Sequence, residues 1–144
     1  MSKPGSVVKV GAALALVLSF ALAGCGGDGE AGAEEGITVE LAEEDGSGQS
    51  GTATLTSAGD GRSRVAVTLS NPPDVPQPSH VHSGRCGDMG DPVAGLESLE
   101  GGEAETVIEL SLAELQTGNL VVQAHRSDDE YDVSVACGEI PTAG

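Results

Sequence analysis

The three histidines of this chain are its candidate metal ligands. His80 and His82 are separated by one residue, so in an extended strand both imidazoles point to the same face while Val81 turns to the other. His125 follows the apolar run Leu120–Ala124, which is a second predicted strand. If both strands belong to one sandwich, three imidazoles could share a metal ion. The alternative is an exposed histidine pair on an edge strand and an unrelated third histidine.

The N-terminus has the parts of an export signal. Lys3 and Lys9 give it positive charge, and the apolar run Val10–Leu22 is too short for a comfortable membrane span. The sequence Leu22-Ala23-Gly24-Cys25 then resembles the lipobox of bacterial lipoproteins. This resemblance implies cleavage before Cys25, lipidation of its sulfur and an anchor in the membrane, with the protein outside the cytoplasm. The alternative is an ordinary secretory signal with a chance cysteine.

Composition divides the chain into three parts. Residues 1–24 are the predicted lipoprotein signal peptide. Residues 25–36 begin at the predicted lipidated Cys25 and continue as a Gly- and Glu-rich stretch without apolar periodicity, which predicts a flexible acidic tether. Residues 37–144 are enough for one domain.

The mature part of the chain is strongly acidic. The whole sequence has a net charge of −17, and its lysines, Lys3 and Lys9, lie in the predicted signal peptide. Without that peptide, four arginines face 23 acidic residues, a net charge of −19. This balance argues against nucleic-acid binding, which needs clustered Lys and Arg, and it keeps the domain away from anionic lipid. We attribute the charge to solubility rather than to an acidic binding surface.

The remaining cysteines form a natural pair. With Cys25 assigned to lipid, Cys86 and Cys137 are left in an oxidising compartment, where a disulfide is the default. It would close a loop of about fifty residues and stabilise the fold by about 4 kcal/mol. Outside the signal peptide Tyr131 is the only aromatic residue, so the core must consist of Val, Leu, Ile and Ala. A small aliphatic core of this kind depends on its disulfide.

The rest of the pattern is that of short antiparallel strands. Besides the histidine strand, strands are predicted at Ile37–Leu41, Gly51–Ser57, Ser63–Ser70, Glu105–Leu110, Leu120–His125 and Tyr131–Ala136. We expect a Gly-rich loop at Gly87–Gly102. Ser111 and Glu114 predict the capping box of one short helical turn, with Gly118 at its end. These elements predict an all-β, antiparallel sandwich or barrel of about seven to eight strands.

A dinucleotide-binding motif occurs in the wrong structural context, and a common serine-nucleophile motif is missing. The stretch Gly46–Gly51 fits G-x-G-x-x-G, but it precedes a Thr-rich strand rather than a helix. It is therefore predicted to be a hairpin loop without a pyrophosphate site. No G-x-S-x-G sequence presents a serine nucleophile.

Two blocks of residues resemble the copper/zinc superoxide dismutase family. The first is His80-Val81-His82 with a short loop to Cys86, and the second is Ala136-Cys137-Gly138-Glu139-Ile140, with His125 between the blocks. The resemblance runs from about Ile37 to Pro141 and implies a Greek-key β-sandwich or barrel. The segment Ser79–Leu96, which contains Asp91-Pro92-Val93, also resembles the CHRD domain of chordin-like proteins.

The dismutase resemblance also implies roles for single residues. The positions that match copper ligands are His80, His82 and His125, and those that match the family disulfide are Cys86 and Cys137. Zinc is not expected, because residues 87–102 contain no histidine for the bridging and zinc positions. Ser134 stands three residues before the second cysteine, where the family has its active-site arginine.

Together these features favour a membrane-anchored lipoprotein whose domain is a copper-binding or structural module without the full dismutase machinery. Superoxide is an anion, and a charge near −19 gives it no overall attraction, although Arg85 and Arg126 flank the predicted ligands. The alternative is a copper-only superoxide dismutase at the cell surface that uses the same three histidines. A third possibility is an adhesion or scaffold domain without metal.

Overall fold

The computed structural model describes residues 36–144, which form eight strands and one helical turn. The predicted signal peptide, the predicted lipidation site Cys25 and the tether up to residue 35 lie outside the described residues. The elements are β1 (Ile37–Glu43), β2 (Gly51–Gly59), β3 (Arg62–Leu69), β4 (Gln77–Arg85), β5 (Asp88–Leu99), β6 (Glu103–Ile108), α1 (Leu112–Leu115), β7 (Leu120–His125) and β8 (Ser134–Glu139). Within residues 36–144, no helix has the length and apolar character needed to cross a bilayer.

The eight strands form one antiparallel sheet that curls into a nearly closed barrel. Their order is β5-β4-β7-β8-β1-β2-β3-β6. The strands at the two ends of this order, β5 and β6, meet at a seam where the backbone N–H of Glu97 donates a hydrogen bond of 2.7 Å to Thr106 Oγ1. The connections from β3 to β4 and from β6 to β7 join strands that are not neighbours, which is a Greek-key pattern. The predicted all-β fold is confirmed.

The barrel interior is aliphatic, as the composition predicts. Along β3, every second residue turns inward, and Val65, Val67 and Leu69 are at most 4% exposed. Burial of one such side chain contributes about 1.5–3 kcal/mol. The other main core residues are Val39, Leu41, Ala53, Leu55, Val81, Leu99, Ile108, Leu115, Val122, Ala124, Val135, Ala136 and Ile140.

The predicted capping box is present at the start of α1. Ser111 Oγ accepts a hydrogen bond of 3.2 Å from the Glu114 backbone N–H, and Glu114 Oε2 accepts one of 2.8 Å from the Ser111 backbone N–H. Leu115 is fully buried and fixes the turn to the core. Gly118 has a φ of 103°, which favours glycine, and it leads the chain into β7.

The expectation of a loop at Gly87–Gly102 is wrong. Most of this stretch is β5, which pairs antiparallel with β4. The register shifts three times, between Gln77 and Ser79, between Val81 and His82 and between His82 and Gly84, so the β4–β5 pairing contains bulges. A bulged strand at the end of the sheet tolerates glycine, and it tolerates Pro92, which has no backbone N–H to donate.

The last strand also begins later than predicted. β8 starts at Ser134 rather than at Tyr131, because residues 126–133 form a compact turn. Within this turn the Arg126 backbone N–H donates to Val133 O at 2.9 Å, and the Val133 N–H donates to Glu130 O at 3.1 Å. Tyr131 therefore lies in the connection between β7 and β8.

Candidate metal centre

The three histidines lie on the outer face of two neighbouring strands. Val81 is fully buried in the core, so His80 and His82 on either side of it point outward from β4, as the alternation predicts. β4 pairs with β7 so that His80 is opposite Gln123. His125 is two residues further along β7 and therefore on the same outer face. This long-range strand pairing is what brings the third histidine to the other two.

The three imidazole rings are close enough to share one ion. Their centroids are 5.5 Å apart for His80 and His82, 5.2 Å for His80 and His125, and 6.1 Å for His82 and His125. One ring nitrogen from each residue lies within 4.8 Å of the other two. Donors around one metal ion are about 3–4 Å apart when each bond is about 2.0–2.1 Å. Small side-chain rotations would therefore bring the three nitrogens from within 4.8 Å of one another to the separation that one bound ion requires.

The orientation of the His82 ring is set by the neighbouring strand. His82 Nδ1 lies 3.0 Å from the carbonyl oxygen of Gly90, which accepts a hydrogen bond from it. In the neutral ring this hydrogen bond leaves the lone pair on Nε2. That Nε2 atom is buried and has no hydrogen-bond partner among the described residues. A backbone carbonyl on one nitrogen and a free lone pair on the other is the usual arrangement of a metal-binding histidine.

The ring of His125 has fewer hydrogen bonds than that of His82. Its side chain is only 5% exposed, and within residues 36–144 neither of its ring nitrogens makes a hydrogen bond. A buried polar atom without a partner costs about 1–3 kcal/mol, so such atoms are rare in folded proteins. A metal ion bound by His82 and His125 would give one unpaired nitrogen of each residue a partner, and the residues present fit that role.

The local environment favours neutral imidazoles. Burial lowers the pKa of His80, and the nearby His82 lowers it further. Burial also lowers the pKa of His125, and His80 adds to this effect, while the backbone of Tyr131 partly opposes it. Because only a neutral imidazole has a lone pair to donate, both shifts prepare these side chains to bind a metal.

Tyr131 covers the outer side of the cluster. Its ring stacks on His125 with centroids 4.3 Å apart and planes 11° apart, and its Oη lies 3.1 Å from His80 Nε2. The side chain is nevertheless 43% exposed. The sequence alone did not identify this residue as part of the site. The available clue was that the one aromatic residue of residues 25–144 occurs in an acidic turn rather than in a core strand.

A buried pair of glutamines supports His125 from the other side. Gln77 Nε2 donates a hydrogen bond of 3.1 Å to the His125 backbone carbonyl. The side-chain amides of Gln77 and Gln49 bond reciprocally at 3.0 and 2.9 Å, and both residues are at most 4% exposed. Gln49 belongs to the connection between β1 and β2, within the stretch Gly46–Gly51 that resembles a dinucleotide motif. That stretch is a loop, as predicted, and it helps to fix the end of β7.

Cys86 and Cys137 form the predicted disulfide. Cys86 lies in the turn between β4 and β5, and Cys137 lies on β8, so the bond spans β7 and joins the strands on either side of it. A carboxylate oxygen of Glu44 is within 4.8 Å of both sulfur atoms. Because the two sulfurs are bonded to each other they are not thiolate ligands, and this second group is not a metal site in the oxidised protein.

Comparison with known proteins gives one informative result. The chain has no significant match to a protein-family model or to a curated protein. Among solved structures it resembles a mutant form of superoxide dismutase 5 from Candida albicans, with a TM-score of 0.55 and 19% sequence identity, over 76% of this chain and 92% of that chain. The fold is superoxide dismutase-like. At this identity the likeness establishes the fold.

The site differs from the dismutase pattern at the arginine position. Ser134 lies opposite His125 in the strand pairing, and its hydroxyl donates a hydrogen bond to the carboxylate of Glu44. The Arg126 guanidinium lies 3.3 Å from a carboxylate oxygen of Glu130, and Arg85 is exposed at the end of β4. A serine paired with a carboxylate therefore stands where the resemblance places a cation.

Proposed function

We propose that this protein binds one copper ion through His80, His82 and His125. The observation that carries the proposal is the convergence of three imidazoles, two of them buried with ring nitrogens that have no other partner in the described part of the chain. The superoxide dismutase-like fold supports it. When bound, copper would supply one-electron redox chemistry. The chain itself would contribute two adjacent strands that hold the donors and a turn that limits their contact with water.

The donor set favours copper over other common metals. The cluster consists of imidazoles alone, with no carboxylate among its members. Imidazole suits copper, zinc, nickel and iron, and for a given nitrogen site Cu(II) binds most tightly of the divalent first-row metals. The dismutase resemblance assigns these three positions to copper and offers no histidine in residues 87–102 for zinc.

Copper titration of the full-length protein in detergent tests the proposal. We expect about one tightly bound Cu(II), measured by competition with a chelator of known affinity. His80→Ala and His125→Ala should each abolish this uptake, because two imidazoles hold Cu(II) far more weakly than three. Asp128→Asn combined with Asp129→Asn is the matched control, since it removes two exposed acidic groups near the site and should leave uptake unchanged. Equal uptake by the histidine variants would refute the site.

A copper-only superoxide dismutase is the second candidate function. It is supported by the structural neighbour, which is a superoxide dismutase. The Ser134–Glu44 pair counts against it, because a carboxylate repels an anionic substrate. Dismutation by the copper-loaded protein well above that of the His125→Ala variant with the same copper content would favour this enzyme over a binding module.

We also propose that the protein is held outside the cytoplasm by a lipid on Cys25, which the lipobox resemblance supports. A disulfide between Cys86 and Cys137 suits an oxidising compartment. Cys25→Ala should move the protein from the membrane fraction to the soluble fraction. Retention of this variant in membranes would contradict lipid anchoring. No nucleic-acid partner is expected from a chain with 23 acidic residues.

A metal-free structural module is the outcome if the wild-type protein takes up no copper. The CHRD resemblance of Ser79–Leu96, which corresponds to most of β4 and β5, would then be the better guide to function. The histidines would in that case be ordinary residues of the outer face.

A further inference from the structure

We propose that Tyr131 is a fourth ligand of the bound copper, so that three imidazoles and one phenolate oxygen hold the ion. This inference rests on the proposed three-histidine site. The sequence and the dismutase resemblance assign no role to Tyr131.

The position of the phenol oxygen fits a shared ion. Tyr131 Oη lies 3.1 Å from His80 Nε2. Two donors with metal bonds of about 2.0–2.1 Å are about 2.9 Å apart at a right angle and about 3.4 Å apart at a tetrahedral angle. The observed separation falls between these values and is therefore compatible with Oη and His80 Nε2 binding one ion.

The ring is fixed over the site by independent contacts. It stacks on His125 with planes 11° apart, and it meets the His80 ring edge-on at a centroid distance of 5.5 Å. The turn that carries it is closed by the hydrogen bond from the Arg126 N–H to Val133 O and by the 3.1 Å bond from the Glu130 N–H to Ser127 Oγ. A donor held in place by stacking and by a closed turn loses little further freedom when it binds.

The packing of Tyr131 is not that of a core aromatic residue. It is the only aromatic residue of the mature chain, yet 43% of it remains exposed. An aromatic residue that served stability would bury its apolar area in the barrel interior. The contacts that Tyr131 makes with the predicted ligands His80 and His125 account for its position instead.

Binding of Cu(II) by Tyr131 requires the loss of the phenol proton. A free phenol has a pKa near 10, and a bound divalent cation favours the deprotonated form of its ligands. On binding, the Tyr131 O–H bond breaks, the proton passes to solvent and the oxygen lone pair forms the bond to Cu(II). Copper keeps its oxidation state. Nitrogen donors with one oxygen donor form a ligand set that Cu(II) would accept.

The Tyr131→Phe variant of the full-length protein tests the inference with Cu(II) as the probe. Phenylalanine keeps the stacking on His125 and removes only the oxygen. We expect the wild-type Cu(II) protein to show a visible phenolate-to-Cu(II) charge-transfer absorption that the variant lacks. We also expect the variant to bind about one Cu(II) roughly tenfold more weakly, a loss of about 1.4 kcal/mol. Equal thermal stability of the two metal-free proteins would show that the fold is unchanged.

The possible results separate this inference from the proposed function. Copper uptake by both proteins with the same absorption spectrum would overturn the phenolate ligand and leave the three-histidine site standing. Weaker binding by the variant, with no charge-transfer band in the wild type, would reduce Tyr131 to a hydrogen-bonding neighbour of His80 and also overturn the inference. Failure of the wild-type protein to take up copper would overturn both.

Discussion

At the scale of single residues, the most informative atoms are the ring nitrogens of His82 and His125. Both side chains are buried, and within residues 36–144 three of their four ring nitrogens have no hydrogen-bond partner. The fourth, His82 Nδ1, donates to the carbonyl oxygen of Gly90. The hydrogen bond from His82 Nδ1 to Gly90 O and the bond from Gln77 Nε2 to the His125 backbone carbonyl fix the two residues in place. The protein thus keeps a costly arrangement that is rigid and ready for a ligand.

The metal-free protein should lose stability as the pH falls from about 7 to about 5.5. The pKa values of His80 and His125 lie below the ordinary value near 6.5, so the unfolded chain binds protons more readily than the folded chain. Their contribution to stability is therefore complete above the unfolded pKa and is lost as the pH falls towards the folded pKa values. Each histidine accounts for at most about 1.4 kcal/mol per pH unit. Urea titrations in the presence of a chelator measure the effect.

A double variant assigns this pH dependence to the two histidines. His80→Gln combined with His125→Gln should flatten the dependence between about pH 7 and 5.5, because neither glutamine titrates. An equally steep loss of stability in the variant would place the effect on other groups and would contradict the prediction.

At the scale of elements, the site depends on the order of the strands β4, β7 and β8. β4 carries two of the histidines, β7 carries the third, and β8 carries Ser134 and Cys137. The Cys86–Cys137 disulfide joins the turn after β4 to β8, with β7 between them. The bond therefore holds together the part of the barrel on which the three imidazoles lie.

Removal of the disulfide should strongly destabilise the domain. The two cysteines are 51 positions apart, and a loop of that size corresponds to about 4 kcal/mol on the chain-entropy model. Cys86→Ser combined with Cys137→Ser should lower the urea midpoint of unfolding accordingly. Cys25→Ala is the matched control, because it removes a cysteine that lies outside the pair, and its midpoint should match that of the wild type. A double variant as stable as the control would show that the bond contributes nothing.

The elements also show what the sequence could predict. The period of two along His80, Val81 and His82 was enough to place both imidazoles outside, because it is a local property of a strand. The approach of His125 came from the dismutase resemblance, since pairing between β4 and β7 is long-range and no local pattern specifies it. The sequence of β5 resembles that of a loop because its bulges admit glycine and proline.

The roles of Tyr131 and Gln77 could not be predicted for a different reason. Each acts through a contact between parts of the chain that are far apart: Tyr131 with His80, and Gln77 with His125 and Gln49. A tyrosine in an acidic turn and a glutamine among prolines have no local pattern that indicates a partner. Only the assembled barrel shows which side chains meet.

At the scale of the whole molecule, charge decides which ions approach the site. Residues 25–144 contain no lysine, and their four arginines face 23 acidic residues. Three of these arginines, Arg62, Arg64 and Arg126, have carboxylate partners at 3.6, 3.1 and 3.3 Å. The acidic turn that carries Tyr131 lies directly beside the histidines. Such a field attracts Cu(II) and repels superoxide.

Association with Cu(II) should therefore slow as salt is added. The Debye length falls from about 30 Å at 0.01 M to about 8 Å at physiological ionic strength, so the attraction of distant carboxylates is screened. Tyr131 is the only tyrosine of the chain, which has no tryptophan, and quenching of its fluorescence by bound copper gives the rate in a stopped-flow experiment. A neutral copper chelate, delivered in the same way, is the control and should show little dependence on salt.

Any reaction of the copper-loaded protein with superoxide should instead become faster with salt, because screening weakens a repulsion. A Cu(II) association rate that rises with ionic strength would show that a local positive potential outweighs the acidic surface, and it would restore the case for an anionic substrate.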